Sequence, residues 1–343
     1  MARSDDGAPV PSGPKRRVHV LGTGGTIAGA QPDPAHYGYT AATYGIDWLL
    51  AAVPGLDRLA VLSGEQVVNI GSQDMDDGLW LRLARRVNEV LAAPGIDAAL
   101  ITHGTDTLEE TGYFLSLVTA GAKPVVMVGS MRPATAISAD GPANIYDGIA
   151  VAADPRAAGR GTLVVLNDEI HSARNAVKTG TSNPSAFSSM SRGLLGITSA
   201  GRVEWFEHEP PASAGRAPRF DVSDLEALPR VDILHAHAGM SVDLIDAAVA
   251  SGARGIVVAG VGAGNMSARA TERLARAAEA GIVVVRSSRV VSAMVLRNSE
   301  VDDDRLGFVA AGDLNAPKSR VLLQLALTRT ADPQRIQRMF DCS

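Results

Sequence analysis

Short apolar runs that end in polar, glycine-marked turns recur along this chain, separated by stretches with apolar residues at helical spacing. Val18-His19-Val20-Leu21 predicts a first strand, delivering the turn Gly22-Thr23-Gly24-Gly25-Thr26-Ile27. Residues 28–40 are polar and rich in Gly, Pro and Tyr, and read as a mobile lid carrying Tyr37 and Tyr39. A short helix is expected over 44–53, then strands over Leu56–Leu62 and Gln66–Ile70, the second ending in Gly71-Ser72-Gln73-Asp74. Asp74 is expected to cap a helix running to about Ala92, in which Trp80, Leu83, Val87 and Leu91 share a face. Strands at Ala98–Ile101, Val125–Val128 and Leu163–Leu166 follow, with helices over about 108–119 and 142–152 between them.

Alternation of strand and helix predicts an α/β fold whose sheet is mostly parallel, with helices on both faces. Polar loops follow the strands at 22–26, 71–74, 103–106 and 129–132, and ligands of open α/β sheets bind outside the carboxyl ends of strands. Residues 167–202 show little periodicity. Four prolines within 207–229 mark a linker, and a second, smaller α/β unit is expected from 230 to 343. Its strands read at Val231–His235, Gly255–Val258 and Ile282–Arg286, its helices at 241–250 and 267–279, with a tail from Pro317 to Phe340 helical in two pieces. The larger unit is expected over 18–206, after a flexible tail of residues 1–17.

Length and composition suit this plan: 343 residues and 46% hydrophobic content supply core for two domains. A net charge of −5 without a basic stripe argues against nucleic acid as a partner. Cys342 is the single cysteine, so neither an intramolecular disulfide nor a cysteine metal site is expected. No run approaches the roughly 18 apolar residues of a membrane span, and the polar start lacks the apolar segment of a signal peptide, so a cytoplasmic protein is expected.

The first turn invites a dinucleotide reading, but Gly22 and Gly24 are followed by Ile27 where a third glycine is needed, and two prolines soon follow. Its hydroxyls, Thr23 and Thr26, are the alternative source of chemistry, Thr26 being the candidate nucleophile. Only four of 32 basic residues are lysine, among them Lys178. Arginine keeps its proton near neutral pH, whereas a desolvated lysine can act as a base. His235 and His237 stand two apart on a strand, but with no third ligand nearby no metal is expected.

Three motifs stand together in order: Gly24-Gly25-Thr26-Ile27-Ala28-Gly29, Gly71-Ser72-Gln73-Asp74-Met75, and Thr102-His103-Gly104-Thr105-Asp106-Thr107-Leu108-Glu109-Glu110-Thr111. They resemble the asparaginase/glutaminase family, its bacterial L-asparaginases in particular. The likeness continues through Met131-Arg132-Pro133, Ser138-Ala139-Asp140-Gly141-Pro142, Lys178-Thr179, Gly260–Asn265, Arg286-Ser287-Ser288-Arg289, Glu300-Val301-Asp302-Asp303 and Gly307–Ala310, roughly residues 18–341.

The resemblance implies a larger N-terminal and a smaller C-terminal α/β domain, assembled as a homotetramer of intimate dimers. It places the site between the N-terminal domain of one subunit and the C-terminal domain of its neighbour, without cofactor or metal. Thr26 matches the nucleophile and Tyr39 its companion on the lid. Thr105, Asp106 and Lys178 match the second threonine, the aspartate and the lysine of a triad. Ser72, Gln73 and Asp106 match groups that hold the α-carboxylate and α-amino group of substrate, and Asn265 and Glu300 match residues contributed across the interface. The turns at Gly25, Gly71 and Gly104 complete the binding surface, where a backbone N–H aimed at the amide oxyanion is worth about 3–4 kcal/mol.

Adjacency on a strand-end turn suggests that Thr105 and Asp106 diverge, one toward the nucleophile and one toward the substrate ammonium. Lys178 is then the base, directly or through Thr105. Ala263, where many relatives carry asparagine, and the run Ala293–Ser299 depart from the family pattern, and Asn265 tilts the reading toward asparagine over glutamine. The alternatives are a glutaminase-asparaginase and a non-catalytic amino-acid-binding module.

Overall fold

The computed structural model describes residues 14–33, 38–206 and 220–342, which divide into two compact units between Asp224 and Leu225. In the first, β1 (Arg17–Gly24) leads to a single 3-10 turn and then to α1 (Ile46–Ala51), α2 (Leu56–Leu59) and β2 (Val61–Ile70). Next come α3 (Asp77–Ala92), β3 (Ala98–Thr102), α4 (Leu108–Val118), β4 (Val125–Val128), α5 (Gly141–Ala153) and β5 (Thr162–Leu166). Five short strands close the unit: β6 (Glu169–Ser172), β7 (Val177–Lys178), β8 (Phe187–Ser188), β9 (Gly196–Ser199) and β10 (Arg202–Trp205).

Eight strands form one sheet in the order β10-β9-β6-β5-β4-β3-β1-β2. From β2 to β5 every pairing is parallel; from β5 outward to β10 every pairing is antiparallel. Both faces of the parallel part are apolar, because crossover helices cover each. Val18, Val20, Leu100, Val126, Val128, Leu163 and Val165 form one face, packed with Ile46, Leu49 and Leu56 of the first helices and Ile145 and Ile149 of α5. At Gly148 α5 comes so near that a Cβ would lie 2.4 Å from Val128 Cγ1. The alternate residues, Met127 and Val164 among them, meet α4 at Gly112. Order reverses between β1 and β3, so the loops leaving these two strands open the crevice where an α/β sheet takes its ligand.

In the second unit β11 (Val231–His235), α6 (Asp243–Ala250), β12 (Gly255–Gly260), α7 (Ala268–Glu279), β13 (Val283–Ser288), α8 (Asp303–Leu306) and β14 (Phe308–Ala310) precede α9 (Ala316–Leu327) and α10 (Pro333–Asp341). The sheet β11-β12-β13-β14 is parallel throughout.

Several expectations are corrected. Leu56–Leu59 is helical, since Leu56 and Leu59, three apart, reach one core from a helical turn. Gln66–Ile70 is the end of one ten-residue edge strand rather than a strand of its own. Asp76, not Asp74, caps α3, accepting from Leu79 N at 2.8 Å; Asp74 ends a 3-10 turn. Residues 167–202 are ordered as short antiparallel strands, β5 and β6 turned by Asn167 and Asp168 at φ +52° and +64°, β9 and β10 by Ala200 and Gly201 at φ +51° and +80°. Arg17 already belongs to β1, and His237 lies beyond the end of β11, its Nδ1 donating to Ala238 O. Tyr37 and residues 207–219 of the expected linker lie outside the described residues, as does the start of the expected tail.

Candidate active site

The site begins where β1 gives out. Gly25, at φ +85°, donates its N–H to Ile70 O at 2.8 Å and lies against the turn after β3, where a Cβ would stand 2.3 Å from Gly104 Cα. Only glycine allows three strand ends to meet this closely. Gly104 in turn sits against Ser72, whose Oγ a Cβ would meet at 2.6 Å. Thr23 is buried and donates to Thr102 O at 2.8 Å, so its hydroxyl is spent tying β1 to β3. Thr26 opens the following 3-10 turn, half-buried, and shares a hydrogen bond of 2.8 Å with Tyr39 Oη. An isolated bridge between Ala30 and Thr40 closes the base of the loop that carries Tyr39.

Lys178, on the two-residue strand β7, sends Nζ to Thr105 Oγ1 at 2.8 Å and to Asp106 Oδ1 at 2.6 Å. Thr105 and Asp106 therefore converge on one ammonium group instead of diverging. Strand alternation ends at Thr102, and an ammonium has three hydrogens to share. Thr105 is buried, whereas the Asp106 side chain is 64% exposed, so this pair is one arm wet and one arm dry. Because Thr105 Oγ1 accepts from Lys178, its own hydrogen points elsewhere. Thr26, Tyr39, Thr105, Asp106 and Lys178 all line one cavity of about 360 Å³, with Gln31, Arg132, Ile137 and Thr181 around its wall.

Ser72 is buried beneath Asp106: its Oγ accepts Asp106 N at 3.2 Å and its carbonyl accepts Thr107 Oγ1 at 2.8 Å. Gln73 is exposed beside it, its amide folded over Gly71. In the second unit Asn265 Nδ2 donates to Glu300 Oε2, with Asn265 and Val261 exchanging two backbone bonds of 2.8 Å. Among the described residues no three His, Cys, Asp or Glu side chains stand together as a metal site needs.

Three supporting residues had no role in the sequence reading. Glu109, buried in the first turn of α4, accepts Lys178 N at 2.6 Å and fixes the lysine's strand. Asp140 accepts both Met131 N and Arg132 N at 2.9 Å and so shapes the cavity wall after β4. His103, wholly buried, donates from Nδ1 to Gly104 O at 2.7 Å, and burial pushes its pKa down to about 4. All three stood inside the quoted motifs, and for Glu109 and Asp140 a carboxylate at a helix start is the signal that singles them out. Nothing local marks His103 as buried.

The family model described as Asparaginase, N-terminal, matches residues 17–211, and that of the Glutaminase/Asparaginase C-terminal domain matches 230–340. A probable periplasmic L-asparaginase of Haemophilus influenzae is 47% identical over 94% of this chain and 92% of its own. A glutaminase-asparaginase of Pseudomonas fluorescens is 42% identical over 94% and 89%. The crystal structure of a probable cytoplasmic L-asparaginase from Campylobacter jejuni superposes with a TM-score of 0.91 at 47% identity, over 95% of this chain and 99% of that one.

Proposed function

The chain belongs to the asparaginase family and is an amidohydrolase; from that premise we propose that it hydrolyses L-asparagine to L-aspartate and ammonia through an acyl-enzyme on Thr26. One observation carries the route: two threonine hydroxyls face one cavity, one bonded to Tyr39 and the other to Lys178. Thr26 Oγ1 bonds to the amide carbon, the C–N bond breaks, and the hydroxyl proton departs with nitrogen as ammonia. Water then cleaves the ester, restoring Thr26 and releasing aspartate. Tyr39 is the direct proton partner of Thr26, and Lys178 acts through Thr105. Asp106 holds the lysine and offers its exposed carboxylate to the substrate ammonium, with Ser72 and Gln73 beside it.

By the family resemblance the enzyme is a homotetramer, with Asn265 and Glu300 completing a neighbour's site. Mixing Thr26→Ala with Glu300→Ala subunits then restores activity that neither has alone. The printed title of the Campylobacter relative supports a cytoplasmic location, while the Haemophilus relative's name points to the periplasm. Fractionation decides between them.

The direct test is ammonia release from L-asparagine and L-glutamine by wild type and Thr26→Ala. Release from asparagine, abolished by the substitution, is expected. Equal rates on both amides make the protein a glutaminase-asparaginase, full activity in Thr26→Ala removes the acyl-enzyme route, and release from neither leaves a binding module.

A further inference from the structure

A buried ion pair in the second unit sits where two of its loops meet. Arg286 lies on β13, between Val258 of β12 and Ala310 of β14. Its side chain has no solvent exposure, and neither has Asp303, the first residue of α8. Arg286 Nε donates to Asp303 Oδ1 at 2.5 Å and Nη2 to Oδ2 at 2.7 Å. Nη1 points at the carbonyls of Ala263 and Gly264, each at 3.4 Å, and Nη2 also reaches Leu296 O at 3.3 Å. A guanidinium has five N–H groups in a fixed fork, and here each has an acceptor.

Burial makes such a pair weak evidence for stability, because desolvation offsets the attraction. What distinguishes this one is what it grips. Ala263 and Gly264 lead directly into Asn265, and Leu296 begins the segment that ends at Glu300. Asp303 grips the same segment from its other side, Oδ2 accepting Asn298 N at 2.9 Å. Asn298, at φ +53°, is tied to Asp304 both ways, donating to Oδ2 at 2.7 Å and accepting from Asp304 N at 3.1 Å. Asn265 and Glu300, bonded to each other, are thus the tips of two loops held by one buried fork.

We propose that Arg286 and Asp303 are positioning residues of the active site, which set the spacing of Asn265 and Glu300 and through it the affinity for substrate. This rests on the reading of Asn265 and Glu300 as substrate-binding groups. Lysine at 286 keeps the charge but brings one nitrogen and three hydrogens, so it cannot span both loops.

Steady-state kinetics on L-asparagine test this with wild type, Arg286→Lys, Asn298→Ala, Asn265→Ala and the Arg286→Lys/Asn265→Ala double variant. Arg286→Lys and Asn298→Ala are each expected to raise KM about tenfold with kcat within about twofold. In the Asn265→Ala background, Arg286→Lys is expected to cost at most about threefold, because a group it positions is gone. Asn298 is exposed and its backbone bond to Asp303 survives the change, so its variant, which cuts only the side-chain ties to Asp304, tests whether the placement of this segment sets KM even if Arg286→Lys does not fold. Unchanged KM in Arg286→Lys and Asn298→Ala, a loss confined to kcat, or costs that multiply in full in the double variant would overturn the proposal while leaving the enzyme an asparaginase. A wild type inactive on asparagine overturns the functional reading itself, and is seen before any variant is compared.

Discussion

Acid should destabilise this protein through His103 from about pH 6.5 downward. The imidazole is wholly buried beneath the Gly104–Thr105 turn, where desolvation, only partly opposed by the bond to Gly104 O, lowers its pKa to about 4. In the unfolded chain the same group titrates near 6.5, so between these values the unfolded state binds more protons and stability rises with pH. The contribution is complete above about pH 6.5 and is lost as pH falls through 4. Each tenfold change in proton affinity is worth about 1.4 kcal/mol, which makes the full loss about 3 kcal/mol and the loss between pH 7 and pH 5 about 2 kcal/mol. His103→Asn isolates the effect: its amide can still donate toward Gly104 O but cannot ionise. Urea unfolding at pH 7, 6 and 5, at equal protein concentration to hold assembly fixed, gives the two stability curves. The other histidines are common to both proteins and cancel. Wild type is expected to lose about 2 kcal/mol more than the variant over this range. Parallel curves would refute the reasoning, because the fold would then not discriminate between neutral and charged His103.

Lys178→Arg keeps a cation for Asp106 but removes the compact amine from Thr105, so kcat is expected to fall about 10²–10⁴-fold with the melting temperature nearly unchanged; kcat within tenfold of wild type would exclude Lys178 from proton transfer. Asp140→Ala strands the N–H groups of Met131 and Arg132, expected to cost about 2–4 kcal/mol in urea unfolding, with Asp140→Asn costing roughly half. Burial, and then Asp168, raise the pKa of Asp147, so the folded state holds this proton more tightly than the unfolded one. That stabilisation is present below the unfolded carboxyl pKa and lost as pH rises through the folded value. Asp147→Asn, which can still accept Gly201 N, is therefore expected to melt higher than wild type at pH 7, with the advantage shrinking toward pH 4.

What the sequence discloses here depends on how local each determinant is. Val18–Leu21 and Val125–Val128 are legible as apolar runs because both faces of the sheet are covered, the Trp80–Leu91 stripe because one buried helix face imposes a period, and the strand-end motifs because close backbone approach demands glycine in place. Leu56–Leu59 misleads because so short an apolar run does not itself choose between a helical turn and a strand, and the choice is made by a core assembled from α5 and distant strands. The β5–β6 hairpin escapes because its Asn167-Asp168 turn lacks the glycine that usually marks one. Site chemistry divides in the same way. Thr26, Thr105, Asp106 and Lys178 carry groups whose reactivity is intrinsic, so residue type points to them. Their geometry is relational: Thr105 and Asp106 converge only because β7 brings Lys178 across from 72 residues away, steadied by Glu109. Arg286 is the limiting case. Its motif, Arg286-Ser287-Ser288-Arg289, is legible but its task is not, since its five hydrogen bonds exist only after two loops and a helix start have closed around it. Residues that do chemistry are thus readable one at a time, whereas residues that hold chemistry in place become visible only when the chain is folded.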